Sequence, residues 1–202
     1  MKDTVIIDYG MGNLRSVEKT LMSVGDHPVI SADPEVVRQA GHLILPGVGA
    51  FGDAMSNLKQ AGLDQAVHDA VAEGKPLLGL CLGLELLFSE SEEFGHHEGL
   101  DLIPGQVKKF DDTALRVPHV GWNQIESLRP DPLLADLPDG SYFYFVHSFF
   151  VEPERVDDAL AWTNYGSPFC SIARHENVWG AQFHPEKSQD AGKRLLRNFL
   201  EL

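Results

Sequence analysis

Residues able to do chemistry fall in two short stretches far apart in the chain. The first is GKPLLGLCLGLELLF, residues 74–88, where Cys81 stands between Gly79 and Gly83. Leu77, Leu78 and Leu80 form a short apolar block opened by Pro76, the pattern of a strand buried on both faces. The leucines that follow, Leu82 and Leu86 among them, read as a helix. A cysteine at such a corner, in the pattern G-x-C-x-G, is the thiol counterpart of a nucleophile elbow. Glycine removes the clash that a bulky neighbour would make in so sharp a turn. The free N–H groups and dipole of the following helix are expected to favour the thiolate. A plainer reading fits the same segment: a buried cysteine that fills core, beside glycines that let helix and strand pack.

A thiol nucleophile needs a base and something to hold that base. The second stretch, AQFHPEKS at residues 181–188, offers both. His184 follows an apolar strand, and Pro185 is expected to keep the backbone extended, so that Glu186 shares a side with His184. A carboxylate there accepts from one imidazole nitrogen and leaves the other facing the thiol. A surface turn with an ordinary hydrogen-bonded histidine is the alternative, and the pairing with the elbow argues against it. An oxyanion formed during acyl transfer needs donors. The Leu82 N–H is one candidate, and LPGVGAFG at residues 45–52 leaves a strand with a backbone free to approach a ligand. This stretch is not a dinucleotide fingerprint, because it follows the third strand rather than the first.

The elements that must position these groups alternate at first. Residues 4–7, 27–30 and 43–45 read as strands, the last broken by Pro46. Between them lies a helix with Leu14, Val17, Leu21 and Val24 on one face, Asn13 as its cap and Gly25 as its stop. Helical patterns cover residues 53–61 and 63–72. This order predicts an α/β fold, an open and mostly parallel sheet flanked by helices. In the second half strand-like runs at 106–110, 142–146, 159–163, 169–173 and 178–183 lie close together, as antiparallel pairs do. Ser188 is placed to cap a last helix carrying Leu195, Leu196, Phe199 and Leu200. The acidic stretch 89–99 reads as a loop. No repeat or linker divides the 202 residues, so a single domain is expected.

Composition narrows the function. The net charge of −14 argues against a nucleic-acid binder and against attachment to an anionic membrane. No apolar run approaches the about 20 residues of a membrane helix. The start, MKDTVIIDYG, reads as a first strand rather than a signal peptide. Two cysteines make no disulfide framework, which points to a reducing, cytoplasmic setting. Cys170 lacks an elbow and reads as core, and His96 and His97 have no companions for a metal site.

Taken together, GLCLGLELLF and AQFHPEKS resemble the class I, triad-type glutamine amidotransferases. DYGMGNLRSV (8–17), LPGVGAFGDAM (45–55), VPHVGWN (117–123) and YFYFVHSF (142–149) are similar, more narrowly, to the glutaminase subunits of imidazole glycerol phosphate synthase. The resemblance spans nearly the whole chain. It implies a flavodoxin-like amidotransferase fold and a Cys81, His184, Glu186 triad. It further implies an oxyanion site made by Gly47, Val48, Gly49 and Leu82. L-glutamine would be hydrolysed to glutamate, and ammonia would pass to a cyclase subunit, a (β/α)₈ barrel forming a heterodimer with this chain. It implies no cofactor and no metal.

By the same resemblance Glu93 would bind the α-amino group of glutamine, and the backbone of Ser148 and Phe149 its α-carboxylate. Asn13, Trp122, Tyr144 and Lys187 would line the synthase interface or the ammonia gate. His119 and His147 sit inside family motifs without a role in proton transfer. The chain departs from the family at one position: C-x-G-x-Q is usual, and here Glu85 replaces the glutamine that lines the substrate pocket. Glu85 is expected to add charge near the thiolate and to weaken glutamine binding. Three other readings remain at this stage. They are the glutaminase of pyridoxal phosphate synthase, another cysteine hydrolase of the same fold such as a peptidase or deglycase, and a non-catalytic regulatory subunit.

Overall fold

In the computed structural model, which describes residues 3–111, 113, 116–127 and 129–202, strands and helices alternate through the first half. Strand β1 (Thr4–Ile7) leads to α1 (Leu14–Ser23), β2 (Val29–Ser31), α2 (Pro34–Gln39) and β3 (His42–Gly47). Helices α3 (Phe51–Gln60) and α4 (Leu63–Ala72) follow, then β4 (Leu77–Cys81) and the short α5 (Leu82–Leu86). The second half carries β5 (Phe88–Ser91), β6 (His97–Glu98), β7 (Ile103–Lys109), β8 (His119–Gln124) and β9 (Glu126–Ser127). It continues with β10 (Tyr142–His147), β11 (Phe149–Pro153), β12 (Ala159–Tyr165), β13 (Ser167–His175), β14 (Val178–Ala181) and α6 (Gln189–Leu200).

Strands β2, β1, β3, β4 and β14 lie side by side and are all parallel. From β14 the same sheet continues through β13, β11 and β7 by antiparallel pairing. Strands β8 and β10 form a separate antiparallel ribbon. The parallel strands are covered on both faces, which explains their unbroken apolar runs. Alternation along β1 sends Val5 and Ile7 to one side, with Val37, Leu58 and Val67 of the helices there. Ile6 faces the other side, with Val17 and Leu21 of α1 and Leu195 and Phe199 of α6.

Several local expectations are corrected. Strand β3 runs through Pro46 to Gly47. Its pairing with β1 ends at Ile44, and the Pro46 carbonyl accepts from the Tyr9 hydroxyl at 2.8 Å, so no backbone donor is needed there. Asn13 precedes α1 without capping it through its side chain. Ser188 precedes α6 but its hydroxyl donates to the His184 carbonyl at 2.6 Å and accepts from the Tyr144 N–H at 3.0 Å. The acidic stretch is not all loop, since β5 and β6 pair as a small hairpin. Helix α2, capped by Asp33, and strand β8 have no counterpart among the elements expected from the sequence.

Candidate active site

Cys81 ends β4 and opens α5 with φ 54° and ψ −111°, a backbone conformation that a residue with a side chain rarely adopts. Its flanking glycines are sterically required. A Cβ on Gly79 would stand 2.5 Å from the Gly83 carbonyl oxygen, and one on Gly83 would run into the Leu45 carbonyl oxygen. The elbow read from the sequence is therefore present. Register places Cys81 beside Gly47 of β3, and Ala181, three residues before His184, beside Leu80. Both candidate catalytic stretches thus leave the carboxyl edge of the sheet from neighbouring parallel strands, where α/β folds place their sites.

His184 donates its backbone N–H to the Tyr144 carbonyl at 2.9 Å. Pro185–Lys187 form a 3₁₀ turn rather than the expected extended segment, because Pro185 opens the turn with its fixed φ. The turn still brings the Glu186 carboxylate to His184 Nδ1, 2.8 Å away, and both side chains are buried. With Nδ1–H donating to Glu186, Nε2 is left as an acceptor. Among the described residues no group is bonded to Nε2. The Cys81 thiol instead points to the Val146 carbonyl, with Sγ 3.8 Å from the oxygen.

Burial pushes the Cys81 thiol well above its ordinary range, and the Glu85 carboxylate adds to the effect. The Leu82 N–H and Lys187 act in the opposite direction without prevailing. The expected thiolate is thus corrected to a neutral thiol: one short helix end does not offset burial and the nearby Glu85. Glu85 is itself buried, and its Oε1 accepts from Gln182 Nε2 at 2.9 Å. Burial and the nearby Glu93 push Glu85 up to about 8, so the expected extra charge is largely absent at neutral pH.

Cys81, Leu82, Glu85 and His184 line one cavity of about 710 Å³, together with Val48, Gly49, Glu93, Ser148, Phe149 and Lys187. Gly47 lies behind it, in a narrow crevice shared with Asn13, Val48, His184 and Glu186. A Cβ on Gly47 would stand 2.5 Å from the Tyr9 hydroxyl, and Gly49 has φ +112°. Glu93 Oε2 accepts from the Phe51 N–H at 2.7 Å, so one of its oxygens is already engaged. Trp122 and Tyr144 face each other on the ribbon, ring centroids 6.1 Å apart, and Lys187 Nζ lies 5.7 Å from the Tyr144 ring. His119 Nδ1 meets His147 Nε2 at 2.9 Å. Burial lowers these histidines to about 4 and about 3, which keeps both neutral. Gln182, the Val146 carbonyl and Tyr9 do not stand out in the sequence. Only Gln182 carries a signal there, as a polar residue in an apolar strand run two positions before His184. Among the described residues no cluster suited to a metal ion occurs, and no helix is long and apolar enough to cross a membrane.

Residues 5–202 match the family described as glutamine amidotransferase class-I. An imidazole glycerol phosphate synthase subunit HisH from Syntrophotalea carbinolica is 51% identical over 201 residues, 96% of this chain and 98% of the relative. The subunit of the same name from Moorella thermoacetica is 48% identical over 100% of this chain and 96% of its own. The chain belongs to the class-I glutamine amidotransferases, within the HisH family. Solved structures of more distant relatives share the amidotransferase fold. A crystal structure of a glutamine amidotransferase superposes with a TM-score of 0.77 at 20% identity, covering 98% of this chain and 97% of that one. PurLQS from Thermotoga maritima gives a TM-score of 0.77 at 17% identity, covering 100% and 99%. The expected fold class, a mostly parallel sheet flanked by helices with antiparallel strands in the C-terminal half, is the one observed.

Proposed function

We propose that this amidotransferase is the glutaminase subunit of imidazole glycerol phosphate synthase, acting in histidine biosynthesis as a single domain over residues 1–202. The observation that carries the reading is that Cys81, on its strained elbow, and His184, bonded to Glu186 behind it, line one cavity. The chemistry follows from the resting state. Because the thiol is neutral, attack on the carboxamide carbon of glutamine needs His184 Nε2 to take the thiol proton as the carbon–sulfur bond forms. The sulfur leaves the Val146 carbonyl to do so. Charge developing on the amide oxygen is met by N–H groups of the Gly47–Gly49 segment and of Leu82. The imidazolium, held at Nδ1 by the Glu186 carboxylate, then gives the proton to the departing nitrogen. Ammonia leaves and a thioester remains. His184 next deprotonates water, which attacks the thioester, releases glutamate and restores the thiol.

Ammonia passes to the cyclase subunit, a (β/α)₈ barrel bound as a heterodimer. There it reacts with a phosphoribulosyl-formimino carboxamide intermediate, which is split to imidazole glycerol phosphate and an aminoimidazole carboxamide ribotide. Glu93 and the Ser148–Phe149 backbone hold the glutamine α-groups. Asn13, Trp122, Tyr144 and Lys187 lie on the side that meets the cyclase. The setting is cytoplasmic. The test is glutamate release from glutamine, with and without the cyclase subunit and its nucleotide ligand. Low activity alone, strong stimulation in the complex and complete loss in Cys81→Ala are expected. Activity retained by Cys81→Ala would exclude the elbow as the nucleophile.

A further inference from the structure

We propose that Glu85 meets the bound amino acid as an un-ionised carboxylic acid and donates its hydroxyl hydrogen to an oxygen of the substrate. The inference rests on the glutaminase reading and concerns how that same pocket holds its ligand.

Glu85 lies on α5, the short helix that Cys81 precedes, and both residues line the same cavity. It is 5% exposed, and it lines the cavity beside the nucleophile. Its Oε1 already accepts from Gln182, a side chain with no exposed surface whose own Oε1 has no partner among the described residues. A charged carboxylate in this position would need strong donors or a cation. What acts on it instead is one amide donor and a second carboxylate, Glu93. A charge on Glu85 would act on both Cys81 and Tyr9, and both are held in their neutral forms. Glu92 also lines the cavity, as do the two cations Lys109 and Lys187. A protonated Glu85 resolves the conflict. It keeps the bond from Gln182, removes a buried like charge, and gains a donor that can reach a substrate carboxylate or amide oxygen. In shape and hydrogen-bonding capacity it then stands in for a glutamine side chain.

The two charge states predict opposite behaviour. A neutral donor loses the substrate as pH rises, whereas a carboxylate accepting from the substrate ammonium would gain it. The test compares the glutamine KM of the unaltered protein with that of Glu85→Gln, each in complex with the cyclase subunit and its nucleotide ligand, from pH 7 to pH 9. The ratio cancels the titration of substrate and imidazole. It is expected to rise about tenfold across this range, as for a group titrating near 8. A flat ratio, or one that falls, overturns the inference while glutamate release leaves the glutaminase reading standing. Absence of glutamate release from the unaltered complex would remove both. An infrared titration needs no variant at Glu85. Cys81→Ala bound to glutamine should show a carboxylic-acid carbonyl band at pH 7 that fades toward pH 9. Lack of that band at pH 7 overturns the inference.

Discussion

At Cys81 two demands conflict. The sulfur must be a nucleophile, yet the burial that shelters the cavity keeps it protonated. In the proposed mechanism the His184–Glu186 pair answers this conflict, since it makes deprotonation part of the attack instead of a preliminary step. Glu186→Gln should therefore cost on the order of 10²–10⁴ in kcat for glutamine hydrolysis by the complex. The amide can present its NH₂ to Nδ1 and hold the wrong tautomer. Steady-state kinetics at saturating glutamine check this. The elbow and the His184–Glu186 contact were legible in the sequence because each motif is local and Gly79 and Gly83 mark the turn. The charge states of Cys81 and Glu85 were not. Both depend on burial and on Gln182, Glu93 and other groups brought in from distant positions.

Among the elements, the elbow and the ribbon carry separate demands. Strand β3 passes so close to α5 that Gly83 has no room for a methyl group against the Leu45 carbonyl. Gly83→Ala should destabilise the protein by about 1–3 kcal/mol, read from denaturant unfolding, because backbone on both sides must shift. At the end of the β8–β10 ribbon, His119 and His147 are register partners and are buried neutral. Their folded values lie below the ordinary 6.5, so the unfolded chain binds protons that the folded one refuses. Their contribution to stability should therefore be full above about pH 6.5 and fall as pH drops toward about 4, while Glu85, raised to about 8, acts in the opposite sense. His147 alone contributes a slope of up to ~1.4 kcal/mol per pH unit. Thermal unfolding between pH 7 and pH 5 should show a shallower fall in His147→Gln. The ribbon is hard to read from sequence because VPHVGWN mixes polar and apolar residues without a clean alternation, and its partner strand lies well downstream. Pro185 misleads in a related way: next to a strand it suggests extension, while its fixed φ suits the first position of a turn equally well.

For the molecule as a whole, the order of strands was legible only in part. The βαβ rhythm predicts parallel neighbours, and β1 to β4 obey it. Nothing local shows that β14 inserts next to β4 and joins the parallel half to the antiparallel half. That insertion places the segment leading to His184 next to the strand that ends in Cys81. On the outer side of the site, Trp122 is 47% exposed beside Tyr144 and Lys187. Trp122→Ala should leave the unfolding temperature nearly unchanged and weaken association with the cyclase subunit by roughly tenfold or more, measured by titration of one subunit with the other. The late position of β14 also bears on synthesis. The strand that leads to His184 is translated well after the one that ends in Cys81. In the proposed mechanism a growing polypeptide therefore holds its sulfur without a proton acceptor until β14 pairs with β4.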